Sequence, residues 1–225
     1  MRRALRVLSS LLIVAGLLAL TDGALTLLWE EPVSSIYAGV QQGKLGDRLA
    51  ELERADPPPV EQRALARLPD PERRLAFSAR AAGRRTDEGD PVARIRADAI
   101  GLDTVIVEGT RGATLRAGPG HYPDTPLPGQ SGTVAIAGHR TTYGAPFRNV
   151  DDLDAGDRIE LELPYGRFVY RVERTRIVPP TALWVTRRVG YDRLVLTACH
   201  PLYSAAQRIA VFARLERSAA RGAAA

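Results

Sequence analysis

The chain has 225 residues, 45% hydrophobic and 25% charged, a balance that excludes a disordered or fibrous polymer and leaves room for about one globular domain. Its net charge of +5 rests on arginine, with Lys44 the single lysine. The arginines alternate with acids along most segments, which argues for a mixed solvated surface and against a basic track for nucleic acid.

Residues 7–28, VLSSLLIVAGLLALTDGALTLL, are long enough to cross a bilayer as a helix, with Asp22 the one charge. Arg2, Arg3 and Arg6 precede the span in residues 1–6, and Glu30 and Glu31 follow it. Positive-inside logic then keeps the N-terminus cytoplasmic and exports the rest, with Trp29 at the depth of an interfacial anchor. A cleaved signal peptide competes with this reading, but the apolar run is long and no A-x-A site stands before Glu30. The expectation is a single-pass cell-membrane protein with its remaining domain outside.

Residues 29–90 are rich in Ala, Arg and Glu and broken by Pro57-Pro58-Pro59, Pro69 and Pro71. They read as an extracytoplasmic linker. KLGDRLAELERA and RRLAFSARAAGRR within it have helical spacing but little apolar surface. A stalk of short helices is expected, with a lid docked over the functional site as the alternative.

From residue 91 to 217 the pattern changes to short alternating runs punctuated by Gly, Pro and Asp, the signature of an all-β domain. Strands are predicted over 92–96, 103–107, 133–138, 158–163, 167–177, 193–199 and 208–215. A hairpin at Pro164-Tyr165-Gly166 puts Ile159, Leu161 and Leu163 on one buried face, opposite Phe168, Tyr170 and Val172. Seven or eight such strands imply a closed or nearly closed barrel. Residues 218–225, rich in Ala, read as a disordered tail.

Cys199 is the only cysteine, so an exported chain has no internal disulfide and the thiol is either inertly buried or chemically used. It ends an apolar strand in LVLTACHP, His139 follows the apolar strand of TVAIAGHRTTYGAPF, and Arg208 opens QRIAVFARL. Strand ends at a barrel rim allow all three to converge on one cleft. A thiol needs an imidazole or a cation to become a nucleophile at neutral pH, and a guanidinium can stabilise the oxyanion that follows. His200 adjoins Cys199 in sequence, yet successive strand residues point to opposite faces, which disfavours it as the base. His121 lies in a Gly/Pro-rich loop and reads as a surface residue. One cysteine and three scattered histidines lack zinc-site spacing, so no metal is expected.

Three features, the PGQSGTVAIAGHRTTYGAPF block, the LVLTAC block and the arginine that follows, make residues 91–217 resemble the sortases, most of all the class E sortases of high-GC Gram-positive bacteria. The resemblance implies an eight-stranded sortase β-barrel, no cofactor, and a cysteine transpeptidase. Such an enzyme cleaves an L-P-x-T-G or L-A-x-T-G sorting signal of a secreted protein between Thr and Gly, then transfers the acyl group to an amine of a peptidoglycan precursor. It further implies catalytic roles for His139, Cys199 and Arg208, and places Tyr143, Thr197 and Ala198 beside the substrate. Sortases typically carry T-L-x-T-C before the nucleophile; Val195 and Ala198 lack those hydroxyls, which predicts altered rate or specificity. An L,D-transpeptidase or wall peptidase is the competing enzyme, disfavoured because its S-H-G-C-x-R motif is missing. A non-catalytic tethered barrel is the third reading.

Overall fold

The structure, a computed structural model, describes residues 2–28 and 32–221. Trp29, Glu30 and Glu31, and residues 222–225 of the expected tail, lie outside the described residues. Helix α1 (Arg2–Leu28) is followed by α2 (Pro32–Arg54), α3 (Pro59–Ala66) and α4 (Pro71–Gly83). Strands β1 (Pro91–Ala97) and β2 (Leu102–Glu108), the short helix α5 (Gly112–Leu115), and strands β3 (Gly120–His121) and β4 (Thr133–Gly138) come next. The described chain ends with β5 (Arg158–Leu163), β6 (Gly166–Val178), β7 (Arg193–His200) and β8 (Gln207–Ala220).

The eight strands close into a barrel in the order β1-β2-β3-β4-β7-β8-β6-β5. Pairing is antiparallel except for β2 with β3 and β4 with β7. Period-two alternation fills the interior: Ile95, Ile106, Ile136, Leu161, Phe168, Tyr170, Leu196 and Val211 are all essentially buried in one core cluster. A second layer on the outer wall packs Val195, Ala210 and Phe212 under Val178 and Val185, with Trp184 stacked on the Phe212 ring.

Three features differ from the sequence expectation. β8 continues to Ala220, pairing Ala219 with Arg167 and Ala220 with Gly166. A Cβ at Gly166 would lie 2.7 Å from the Ala219 carbonyl oxygen, so glycine is what lets the two strands approach there. Backbone pairing does not depend on side-chain pattern, so the Ala-rich composition conceals it. β3 falls within a segment expected to be loop, since two residues carry no periodicity. Its His121 is buried, only 3% exposed, and not a surface residue. Nδ1 of His121 meets the Glu108 carboxylate at 2.9 Å, and Nε2 lies 3.1 Å from the Thr125 hydroxyl.

The third difference is the helical region. Helix α4 is capped by Asp70, whose carboxylate accepts from the Glu72 and Arg73 amides, and Pro71 supplies a preset first turn. It lays Leu75 and Ala79 into the main core at one end of the barrel. Helix α2 docks along β2, burying Leu45 and Leu49 against Val105 and Val107. The segment is thus a collar on the barrel. Helix α1 contains 19 residues, Leu5–Gly23, long and apolar enough to cross a membrane, with none of them buried in the protein.

Candidate active site

Alternation along three neighbouring strands builds the site. On β7, Leu194, Leu196 and Ala198 belong to the interior core, so Val195, Thr197 and Cys199 face outward. On β8, Ile209 and Val211 point inward and Arg208 outward; on β4, Val134 and Ile136 point inward, and the register carries His139 outward. Gly138 pairs with Ala198, and Cys199 pairs with Arg208. Cys199 and Arg208 therefore lie at one level on adjacent strands about 5 Å apart, and His139 is the first residue beyond β4, next to the Gly138–Ala198 pair. These residues sit on the outer wall of the barrel near the strand ends, beside the rim expected from sequence.

The turn out of β4 depends on Gly138. A Cβ there would lie 2.5 Å from the Phe147 ring, which is fully buried. The Phe147 amide donates to the His139 carbonyl at 2.9 Å, folding residues 139–147 into a closed loop. Tyr143 and Ala145 in this loop adopt left-handed backbone, with φ of 54° and 39°.

Burial lowers the His139 pKa below its ordinary value, and the Arg116 charge lowers it further. The imidazole is thus biased to its neutral form. Its Nε2 is buried without a hydrogen-bond partner among the described residues. The Tyr143 ring lies 5.4 Å from the imidazole, with the Arg116 guanidinium 5.8 Å from the same tyrosine ring. Cys199 is a free, half-buried thiol. Arg208 is half-buried, and its Nη1 donates to the carbonyls of Ala205 and Gln207 at 3.0 and 2.9 Å.

Of the remaining predicted residues, Tyr143 lines the site, while Thr197 is almost covered. The Thr197 hydroxyl shares a 3.0 Å hydrogen bond with that of Tyr122. The Cβ of Ala198 faces the barrel core, so the missing hydroxyl at that position is lost from the interior and not from the cleft. Only backbone groups of Ala198 can serve a substrate. His200 turns away from Cys199, toward Arg140, whose Nη1 lies 3.4 Å from its Nδ1.

Arg140 and Tyr122 join the site without being among the residues expected there. The Arg140 side chain is 1% exposed and ion-paired with Asp151. Its Nε and Nη2 both donate to the Arg148 carbonyl, at 3.1 and 2.9 Å. One guanidinium thus clasps the loop after His139 and touches the residue after Cys199. Both residues lie outside the strand alternation, Arg140 beyond the end of β4 and Tyr122 beyond β3, so nothing in the sequence marks either. Among the described residues, no group of three or more His, Cys, Asp or Glu side chains is arranged to hold a metal ion.

The Sortase domain family model matches residues 95–216. Among curated proteins the chain is similar to Sortase D of Bacillus subtilis, 38% identical over 104 residues, covering 45% of this chain and 50% of that protein. It spans about half or less of the length of the curated relatives it matches. Among solved structures it is similar to sortase E from Streptomyces avermitilis, 32% identical with a TM-score of 0.55, covering 60% of this chain and 93% of that one. Sortase E1 from Streptomyces coelicolor, solved with a tripeptide in the active site, is 26% identical with a TM-score of 0.56, covering 59% of this chain and 92% of that one.

Proposed function

Because the chain belongs to the sortase family, whose model covers more than half of it, we propose that it is a membrane-anchored cysteine transpeptidase acting on the sorting signals of secreted proteins. The observation that supports this reading is the register that pairs Cys199 with Arg208, and Gly138, the residue before His139, with Ala198, the residue before Cys199.

Neutral His139 takes the Cys199 proton as the sulfur attacks the carbonyl of the signal threonine, forming a C–S bond and an oxyanion. The Arg208 guanidinium donates to that oxyanion or to the adjoining substrate backbone. Collapse breaks the Thr–Gly amide as the imidazolium gives its proton to the departing glycine amine, leaving a thioester on Cys199. An amine of a peptidoglycan precursor then attacks the thioester, loses a proton to His139 and releases the thiol. The Arg116 charge and burial suit His139 to begin as the base. The tripeptide held in the active site of sortase E1 from Streptomyces coelicolor supports a peptide substrate.

Helix α1 anchors the enzyme with its N-terminus in the cytoplasm and the barrel outside, as the flanking charges favour. The test uses the full chain in detergent with a fluorogenic L-P-x-T-G or L-A-x-T-G peptide and an amine acceptor. Cys199→Ala is expected to abolish turnover. His139→Ala and Arg208→Ala should each lower kcat/KM by roughly a hundredfold or more, as loss of a proton-transfer or oxyanion group does, while His200→Ala retains activity. Undiminished turnover in Cys199→Ala would remove the proposal.

A further inference from the structure

Helix α2 is built as though its contact with the barrel mattered along its whole length. Ser34, Ala38, Gln42, Leu45 and Leu49 form one stripe at helical spacing. The C-terminal half of the stripe is an ordinary apolar seam against β2. Its N-terminal half is small and polar, and it meets the loop that follows His139. The Ser34 hydroxyl accepts from the Tyr143 amide at 2.9 Å, although the two residues are 109 apart in sequence. One turn on, Tyr37 meets the Tyr143 ring edge to face, with centroids 6.5 Å apart at 74°.

Tyr143 needs such support. Its φ of 54° is a backbone state that a bulky L side chain rarely adopts unless its surroundings hold it there. Its ring in turn covers one side of the His139 imidazole at 5.4 Å. The chain of contact runs from α2 to Tyr143 to His139. The Arg116 guanidinium reaches the same tyrosine ring from the end of α5.

We propose that Ser34 and Tyr37 are positioning residues of the active site, holding Tyr143 and through it the His139 imidazole in working geometry. The inference rests on the sortase reading. It makes the helix next to the membrane anchor a component of the catalytic centre. The groups that act on His139 are the Tyr143 ring of its own loop and the Arg116 charge beyond α5. Losing the Tyr143 cover admits water to the ring, so the imidazole regains affinity for its proton.

The experiment compares the full-length protein in detergent with Ser34→Ala, Tyr37→Ala, Tyr37→Phe and, as an exposed α2 control, Lys44→Ala. Ser34→Ala and Tyr37→Ala are expected to lower kcat about tenfold, as a small misplacement of a proton-transfer group does, with a smaller change in KM. Their acid limb in kcat/KM should move to higher pH. Tyr37→Phe, which keeps the ring contact, should behave as wild type, as should Lys44→Ala. Folded variants with unchanged kcat and an unchanged acid limb would overturn the proposal, as would a fall in melting temperature with kcat per folded molecule intact. Titrating His139 by NMR of its imidazole C2 proton provides a readout independent of turnover. An upward shift in Tyr37→Ala supports the positioning role and no shift refutes it, even if the chosen peptide is not turned over; wild-type inactivity would count against the substrate reading alone.

Discussion

At His139 both burial and the Arg116 charge disfavour the imidazolium, so the native protein holds a proton there less tightly than the unfolded chain. The unfolded histidine titrates near its ordinary value of about 6.5. Above that pH both states are neutral at this position and the site adds no pH dependence. As pH falls below it the unfolded state takes up the proton first, and native stability declines until the folded group titrates too. His139→Gln removes this linkage. Urea unfolding of wild type and His139→Gln between pH 8 and pH 5 should therefore show the variant gaining relative stability as the solution is acidified; a constant difference across the range would contradict the assignment. His139 and Cys199 are legible in sequence because each terminates an apolar strand and strand alternation separates Cys199 from His200. Arg140 is not legible, because a buried arginine is identified only by the carbonyl and carboxylate that receive it. Ala198 is ambiguous for a related reason. The motif marks its position, but only the register shows that its side chain enters the core.

At the level of elements, β5 and the hairpin into β6 can be read from alternation, since one face of each is buried, whereas β4 is buried on both faces and is read as a short apolar run. The docking of α2 cannot, because its decisive contact is a side-chain amide. Strand β3 pairs with β2 only at Val107 and Glu108, leaving the β2 edge open at Val105. Gln42 fills the gap as a stand-in for a peptide group. Its Nε2 donates to the carbonyls of Val105 and Ala117 at 3.0 and 2.7 Å. Its Oε1 accepts from the Val105 amide at 2.7 Å and the Thr104 hydroxyl at 2.8 Å. Gln42→Leu keeps the bulk and deletes all four bonds, stranding backbone groups at a half-covered edge. The expected loss is about 1–3 kcal/mol, the usual cost of leaving buried polar groups unmade, read as a lower urea midpoint. An unchanged midpoint would mean that water replaces the amide without penalty. Neighbouring ion pairs, Arg48 with Asp90 and Arg221 with Glu53, keep their arginines about half exposed to solvent, which weakens them.

For the whole molecule, the helix that follows the anchor also leads to the cleft. Helix α1 ends at Leu28, and Ser34 already touches the loop after His139. Six residues extend at most about 20 Å, so on the proposed topology the site lies near the membrane and not at the end of a long stalk. This proximity is hidden in the sequence because α2 buries a seam of only two leucines while Ile36, Val40 and Leu52 are exposed, so its apolar residues do not mark one docking face. The same arrangement turns the lone thiol into a reporter of topology. Cys199 is half-buried on an outward-facing wall, and no second cysteine competes for reagent. In intact cells, a membrane-impermeant maleimide should label the full-length protein, and Cys199→Ala should remain unlabelled. Labelling only after the membrane is permeabilised would place the barrel in the cytoplasm and defeat the export reading. If the thiol resists even a small permeant electrophile in the folded protein, it is an inert core cysteine. The register that aligns it with His139 and Arg208 would then describe a scaffold and not an enzyme.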